Sequence, residues 1–205
     1  MEDNNIFSNE DYYIYQLINK VNSINDKELT GLVQRLITER SNLLKIAHID
    51  ILTGVNNRRV LSKIQNNTGI LMIDIDNFKE INDTFGHDIG DYVIKAIADI
   101  IKNNTRNSDY ICRYGGDEFL VAFVDCPENV IMERAKKICD CVANNIQVQD
   151  KKITVSIGVA FNDKANSQID ETIKKADIAL YQSKKNGKSQ ISNYKFDEDA
   201  SNKHR

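Results

Sequence analysis

A chain of 205 residues has room for one ordinary domain and a short additional segment. Hydrophobic residues make up 41% of it and charged residues 28%, a balance typical of globular rather than disordered proteins. The formal net charge of −3 argues against a protein that coats nucleic acid, which normally carries an excess of positive charge. A small anionic substrate is still compatible with this charge, because a few lysines in one pocket can hold it.

No apolar run approaches the roughly 18–20 residues that a membrane helix needs, so we expect no membrane insertion. The chain begins Met-Glu-Asp-Asn-Asn, without the basic and apolar segments of a secretory signal. The four cysteines have neither a CxxC spacing nor a nearby histidine, which favours reduced core thiols over a disulfide or metal site. These features together predict a cytoplasmic protein.

Residues 1–47 differ from the rest of the chain and hold no recognisable chemistry. From Leu29 onward the apolar residues follow a heptad-like spacing, interrupted by Glu39, over about two and a half heptads. This spacing predicts a helix and leaves two interpretations open: pairing with its twin in a dimer, or packing on its own domain. The apolar positions are Leu29, Leu32, Leu36, Leu43 and Ile46.

From Gly69 onward, runs typical of strands alternate with helical patterns. The predicted elements, in chain order, are a strand over 69–74, a helix over 88–104, strand-like runs over 110–114 and 117–124, a helix opened by Pro127, a strand over 153–159, a helix over 169–186 and a strand over 190–194. Gly115-Gly116, between the two strand-like runs, is typical of a two-residue hairpin turn. The order predicts an α/β sandwich with a mixed sheet containing one antiparallel hairpin, compatible with a ferredoxin-like core.

Two acidic clusters lie at predicted strand ends. Asp74 and Asp76 end the first strand and, at positions i and i+2, point the same way, while Asp117 and Glu118 follow the glycine pair. If the first strand lies beside the hairpin, Asp74 and Asp117 approach each other and repel unless a cation sits between them. Mg²⁺ favours such carboxylates together with substrate phosphate oxygens, as in phosphoryl transfer. Taken alone, the first cluster is more typical of a solvated strand end, and the second is typical of an ordinary hairpin.

Four motifs, in order, resemble those of the GGDEF family of diguanylate cyclases. They are DILT through NRR (50–59), DIDNFKEINDTFGHDIGD (74–91), RYGGDEF (113–119) and ADIALY through Lys184 and Gly187-Lys188 (176–188). The resemblance covers about residues 48–195. It implies a ferredoxin-like, palm-type catalytic domain over 48–195. The residues on either side are predicted from their own patterns: a helical segment over 1–47 that is a candidate dimerisation stalk, and a polar tail over 196–205.

The resemblance also implies roles for individual residues. Mg²⁺, with Mn²⁺ as an alternative ion, is expected on Asp74, Asp117 and the carbonyl of Ile75. Asp117 and Glu118 are the expected catalytic residues, Glu118 with a role open between assisting deprotonation and holding a second metal ion. The expected substrate-binding positions are Asn82 and Asp91 for guanine, Lys79, Lys184, Lys188 and the backbone of Asn77 and Phe78 for phosphates, with Gly115 and Gly116 beside them.

The implied reaction joins two GTP molecules, one on each subunit of a homodimer, into cyclic di-GMP with release of pyrophosphate. An RxxD pattern, Arg106 to Asp109, stands where the family has its product-inhibition site for cyclic di-GMP. Without the resemblance, Lys184 and Lys188 are more typical of a solvated helix end, and Asp91 of an acid in the first turn of a helix.

The chain departs from the family pattern at Val55, Asn77, Ser189 and Gln190, none of which is an expected metal or guanine ligand. The main alternative function is a catalytically inactive GGDEF domain that binds GTP or cyclic di-GMP as a signalling module. A cyclase of relaxed base choice, making mixed cyclic dinucleotides, is a further alternative, against which Asp91 argues.

Overall fold

The computed structural model describes most of the chain, namely residues 9–24, 26–64, 68–162 and 169–194. The chain separates into two compact units, Met1–His48 and Ile49–Arg205. The polar tail predicted over 196–205 lies outside the described residues. Within the described ranges, no helix combines the length and the apolar character needed to cross a membrane.

The described part of the first unit is a pair of helices, α1 (Asn9–Ile24) and α2 (Lys27–His48). The Asp26 carboxylate caps α2, accepting hydrogen bonds from the backbone N–H groups of Glu28 and Leu29 at 2.9 and 3.1 Å. The short helical N-terminal segment predicted from the sequence is therefore confirmed over the described residues. The apolar spacing indicated only α2, because α1 is rich in Asn, Tyr and Ile, which have weak helix propensity.

The heptad-like leucines of α2 are largely open to solvent. Their exposed fractions are 51% for Leu32, 66% for Leu36 and 61% for Leu43. A row of exposed leucines on one helix is an unburied apolar surface of the kind that favours association.

The second unit contains the sheet and its covering helices. Its elements are β1 (Asn56–Asn57), a 3₁₀ helix (Arg58–Lys63), β2 (Thr68–Ile75), α3 (Phe78–Phe85), α4 (His87–Asn103), β3 (Tyr110–Arg113), β4 (Glu118–Val124), α5 (Glu128–Asn145), β5 (Gln147–Val148), β6 (Lys151–Lys152), β7 (Val155–Phe161), α6 (Ile169–Lys185) and β8 (Ile191–Asn193). Strands β5 and β6 form a separate small hairpin.

The main sheet has the strand order β1-β3-β4-β2-β7-β8. The central strand β2 runs antiparallel to both β4 and β7, whereas the outer pairs β1–β3 and β7–β8 are parallel. The α/β class and the mixed sheet with one antiparallel hairpin, predicted from the sequence, are therefore confirmed.

Helices cover both faces of β2, which explains its continuous apolar sequence. Leu71, Ile73 and Ile75 point to the face packed by α4 and α5, and they belong to the larger buried cluster. Ile70 and Met72 point to the opposite face, where they pack with α6. Because side chains alternate along a strand, Asp74 is directed to the α6 face as well.

Several observed elements differ from the sequence expectations. The strands β1, β5 and β6 are two residues long, and α3 has eight residues, so none of them carries a periodic pattern long enough to detect. Pro127 is the N-cap of α5, with extended backbone, rather than its first helical residue.

Gly158 of β7 sets how closely α6 approaches the sheet. A Cβ at this position would collide with the backbone carbonyl of Ala176 and the backbone nitrogen of Leu180, and would lie 2.8 Å from the Leu180 Cα. The Ser183 hydroxyl also donates a 2.8 Å hydrogen bond to the Ile157 carbonyl. These contacts fix the position of α6 and therefore of the lysines at its C-terminal end.

Candidate active site

Acidic residues gather where β2 leaves the sheet. Asp74 lies between two neighbours in the register, Glu118 of β4 and Ser156 of β7. The backbone N–H of Ile75 donates to the Asp117 carbonyl at 3.3 Å, so the start of β4 is tied to the end of β2. The structure therefore brings together Asp74, Ile75, Asp117 and Glu118, the residues to which the sequence assigned metal binding and catalysis.

The electrostatics of this cluster are dominated by the burial of Asp74. Its residue is 7% exposed, and Oδ2 forms an ion pair with the Nζ of Lys184 at 2.6 Å. Burial raises the pKa of Asp74 to about 6; Lys184 opposes this rise, and the charges of Asp117 and Glu118 add to it. The site therefore concentrates negative charge that one lysine only partly offsets.

This donor set fits a divalent cation of the Mg²⁺ type. Among the described residues, no three acidic, histidine or cysteine side chains form a complete metal-binding group. Two carboxylates and a backbone carbonyl are all hard oxygen donors, and Mg²⁺ is usually bound by one or two carboxylates together with substrate phosphates. The arrangement suits an ion shared with a bound nucleotide, and the ligand roles of Asp74, Ile75 and Asp117 stay predictions.

Residues 114–117, here called the signature loop, connect β3 to β4. The N–H of Tyr114 donates to the Glu118 carbonyl at 2.8 Å, which closes the loop. A Cβ at Gly115 would collide with the Glu118 carboxylate, the end of a flexible side chain, which would have to move aside. The hairpin predicted here is present, but its connection has four residues rather than the predicted two, and neither Gly115 nor Gly116 has a positive φ.

Arg113 holds the signature loop in place. Its Nε and Nη2 donate to the Gly116 carbonyl at 3.0 and 2.6 Å, and Nη1 lies 3.4 Å from the Asp50 carboxylate. Burial pushes the pKa of Asp50 upward, but hydrogen bonds from Thr53 and the charge of Arg113 hold it below its usual value. The first turn of the second unit is thus linked through one arginine to the loop that carries Asp117.

Replacing Arg113 by alanine is expected to destabilise the protein by about 1–2 kcal/mol, because the Gly116 carbonyl and Asp50 lose their charged donor. Urea unfolding measures the change. Arg113→Lys should retain only part of the stability, because a single ammonium cannot contact the Gly116 carbonyl and Asp50 in the way that the forked guanidinium does. The ionised Asp50 stabilises the fold above its unfolded pKa, so the wild-type advantage should shrink as the pH falls below about 4. Equal stability of wild type and Arg113→Ala at pH 7 would contradict this account.

The segment after β2 forms the other wall of the site. Asn77 is the N-cap of α3 and has a left-handed backbone with φ 57° and ψ 30°. Phe78 and Lys79 follow in the first turn of α3, where backbone N–H groups are free of helical partners. The predicted phosphate-binding residues of this segment therefore lie directly beyond the acidic strand end.

Asn82 and Asp91 lie where α3 meets α4. The Asn82 side chain rests on Gly90, where a Cβ would collide with its Oδ1. That Oδ1 is buried and, in the described part of the chain, has no hydrogen-bond partner. Asp91, the residue after Gly90, is exposed. The absence of a side chain at Gly90 thus leaves space for the unpartnered amide oxygen of Asn82.

Lys184 and Lys188 approach the site from α6 and from the loop beyond it. Lys184 contacts Asp74, as described above, and the Lys188 Nζ lies 2.6 Å from the Asn77 Oδ1. Asp76, which the sequence pattern grouped with Asp74, is instead turned to hydroxyl groups of β7 and its approach. The structure separates these two acids, and the spacing alone contained no signal for that difference.

The predicted inhibition residues lie at the opposite end of β3 from the signature loop. The backbone N–H of Arg106 donates to the Asp109 Oδ2 at 2.8 Å, and the Asp109 N–H donates to the Arg106 carbonyl at 3.0 Å. They line a groove of about 250 Å³ together with Gly54, Asn56 and Lys102.

Comparison with known proteins gives a consistent result. The family model described as "Diguanylate cyclase, GGDEF domain" matches residues 47–190. Diguanylate cyclase DosC of Escherichia coli (strain K12) is 36% identical over 163 residues, which cover 72% of this chain and 35% of that protein. Diguanylate cyclase A of Treponema denticola is 42% identical over 125 residues, or 60% of this chain and 34% of that protein. The chain spans about a third of the length of these relatives.

Solved structures agree. The coiled coil and GGDEF domain of DgcB from Caulobacter crescentus, in complex with c-di-GMP, superposes with a TM-score of 0.71 at 28% identity, covering 81% of this chain and 95% of that one. Diguanylate cyclase SiaD of Pseudomonas aeruginosa, in complex with its activator SiaC, gives a TM-score of 0.68 at 26% identity, covering 90% and 75%. Motifs, fold and relatives together establish that the chain belongs to the GGDEF-domain family of diguanylate cyclases.

Proposed function

We propose that this protein is a diguanylate cyclase that condenses two GTP molecules into cyclic di-GMP and two pyrophosphates, with Mg²⁺ as cofactor. The observation that carries the proposal is the convergence of Asp74 and Lys184 with Asp117 of the signature loop and Glu118 of β4 at one end of β2. The names of the similar proteins support the same activity, although each is about three times as long as the matched segment.

The acidic cluster is the proposed metal site. Asp74, Asp117 and the Ile75 carbonyl would hold Mg²⁺, with Mn²⁺ as an alternative. When bound, the ion supplies neutralisation of phosphate charge and activation of the attacking hydroxyl. Glu118, opposite Asp74 in the sheet, is the proposed second acid beside the reacting groups.

The lysines are the proposed phosphate ligands. Lys184 forms an ion pair with Asp74, so its ammonium lies beside the carboxylates that the triphosphate would approach. Lys188, in the α6–β8 loop, contacts Asn77 at the start of α3, and Lys79 lies in the first turn of that helix. Together these ammonium groups and the backbone N–H groups at the start of α3 would bind and orient the triphosphate.

Asn82 and Asp91 are the proposed guanine contacts. A buried acceptor without a partner costs about 1–3 kcal/mol, and an N–H of guanine would satisfy the Asn82 Oδ1. The Asp91 carboxylate accepts from the N1 and N2 donors, which adenine does not offer in that arrangement. This pairing favours GTP at each site over a mixed choice of bases.

The active form is proposed to be a homodimer in which the 3′-hydroxyl of each GTP attacks the α-phosphorus of the other, with pyrophosphate leaving. One domain holds one nucleotide, so the reaction needs two copies facing each other. The exposed leucines of α2 support pairing of this helix with its twin, and a structural neighbour is named as a coiled coil with a GGDEF domain.

Product inhibition and location complete the proposal. Arg106 and Asp109, in the groove described above, are the proposed residues that bind cyclic di-GMP as an inhibitor. The c-di-GMP complex of a structural neighbour supports binding of this nucleotide.

A cytoplasmic location is supported by the four free cysteines, of which Cys112 and Cys139 are buried.

Incubation of the purified chain with GTP and Mg²⁺, followed by chromatography and mass spectrometry, tests the reaction. We expect cyclic di-GMP from the wild type and a loss of at least about a thousandfold in Asp117→Ala, whose carboxylate is a proposed metal ligand. Absence of product from dimeric protein stripped of bound cyclic di-GMP would exclude the cyclase and favour an inactive nucleotide-binding module.

A further inference from the structure

Asp76 is a buried acid that the proposed chemistry does not use. Its residue is 5% exposed, and its carboxylate accepts three hydrogen bonds: from the Ser156 hydroxyl at 2.6 Å, the Thr154 hydroxyl at 2.7 Å and the Ser189 backbone N–H at 2.9 Å. The Asp76 N–H also donates to the Thr154 carbonyl at 2.9 Å. Both oxygens are therefore engaged by protein donors.

The third of these donors belongs to a backbone segment that is conformationally costly. Lys188 and Ser189 have φ values of 64° and 49°, in the left-handed region that residues with a Cβ seldom adopt. Two successive residues of this kind persist only where the surroundings hold them. The hydrogen bond from the Ser189 N–H to Asp76 is one such restraint.

The next residue along the chain provides a second restraint on the same turn. The Asn77 Oδ1 lies 2.6 Å from the Lys188 Nζ, and Asn77 is itself left-handed, with φ 57°. Two neighbouring residues of the β2–α3 loop thus hold two neighbouring residues of the α6–β8 loop. Asp76 accepts from the backbone N–H of Ser189, and Asn77 accepts from the side-chain ammonium of Lys188. We call the set of Asp76, Asn77, Lys188 and Ser189 the loop clamp.

We propose that Asp76 is a positioning residue which, through the loop clamp, holds the Lys188 ammonium over the phosphate-binding entrance. This inference rests on the proposed function, in which Lys188 is a phosphate ligand. Asp76 has two alternative roles: a metal ligand, as its spacing from Asp74 suggests, or a residue that supports only the fold. The experiments below distinguish both from positioning of Lys188.

Asp76→Ala and Asp76→Asn make the first comparison. Asp76→Ala removes the acceptor for Ser189 and should raise KM for GTP about tenfold, with a smaller effect on kcat. Asparagine should keep KM within about threefold of wild type, because its Oδ1 can accept from Ser189 and Thr154 while its amide donates to the Ser156 hydroxyl. A metal ligand would behave differently, since Asp76→Asn would then lose activity as fully as Asp76→Ala.

A double-mutant cycle with Lys188→Ala separates positioning from general stability. If Asp76 acts through Lys188, the KM of the double variant should equal that of Lys188→Ala alone. Multiplication of the two effects to about a hundredfold would overturn the proposal. Matched controls are Asp140→Ala and Lys185→Ala, which remove one exposed charge each and touch neither loop.

Hydrogen exchange of the 186–194 segment gives a readout that does not depend on activity. We expect faster exchange in Asp76→Ala, with wild-type protection in Asp76→Asn. Asn77→Gly is the substitute variant if Asp76→Ala fails to fold. It keeps the left-handed backbone at no steric cost and removes the contact with Lys188, so it too should raise KM severalfold. Unchanged exchange in Asp76→Ala would refute the clamp. An inactive wild type with normal protection of this segment would instead refute only the proposed cyclase function.

Discussion

Asp74→Asn is expected to abolish cyclic di-GMP formation and, at the same time, to stabilise the nucleotide-free protein. The activity should fall by at least about a thousandfold, because the proposed Mg²⁺ site loses a charged ligand. The stability should rise because the wild-type carboxylate is buried and lies near Asp117 and Glu118, with Lys184 as its compensating cation. One substitution thus shows that the Asp74 carboxylate is needed for activity but lowers the stability of the folded protein.

The gain in stability should depend on pH in a defined direction. The pKa of Asp74 is raised to about 6 in the folded protein from its usual 3.8, so the unfolded chain releases this proton first as the pH rises. Wild-type stability therefore falls between about pH 4 and pH 6 and then levels off. The neutral asparagine avoids this loss, and we expect an advantage of about 1–3 kcal/mol at pH 8 that vanishes near pH 4.

Thermal and urea unfolding at pH 4, 6 and 8 measure this dependence, alongside product formation at pH 8. Asp140→Asn is the matched control, because it removes a carboxylate that is exposed on α5 and should leave both stability and activity nearly unchanged. A variant no more stable than wild type at pH 8 would show that Lys184 fully compensates the buried charge.

Gly158→Ala should cost about 3 kcal/mol of unfolding free energy, and Gly158→Val about 3–5 kcal/mol or more. The reason is the direct backbone contact between β7 and α6, where a Cβ meets the carbonyl of Ala176 and the nitrogen of Leu180. Backbone atoms cannot rotate away as a side chain can, so the whole helix must shift. Since α6 carries Lys184, the ion pair with Asp74 should weaken too.

Urea unfolding gives the stability change, and the stability of Asp74→Asn in the Gly158→Ala background reports the ion pair. Gly31→Ala is the control for adding a methyl group, because no atom lies within 4 Å of its Cβ position in α2. That substitution should instead stabilise the helix by up to about 1 kcal/mol, as alanine is the better helix former. Wild-type stability of Gly158→Ala would mean that α6 docks less tightly than these contacts indicate.

Local pattern alone determined the class and the order of elements. The apolar run over 69–74 predicted a strand covered on both faces, and the structure has α4 and α5 on one side of β2 and α6 on the other. The prediction worked because burial dictates residue type along any element long enough to show a period. The two-residue strands and the eight-residue α3 escaped it, since a bridge or a helix of about two turns is too short to show a period.

The sequence also named the chemistry-bearing residues, through motifs whose spacing reflects one strand end and one loop. It could not say which of them touch. Asp74 and Asp76 are equivalent by spacing, yet Lys184 pairs with the first, and Ser156, 80 positions from Asp76, binds the second. Sheet register and the docking of α6 decide these partners. Because both are settled by the packing of segments far apart in the chain, only the tertiary structure distinguishes the acid suited to a metal ion from the acid that holds a loop.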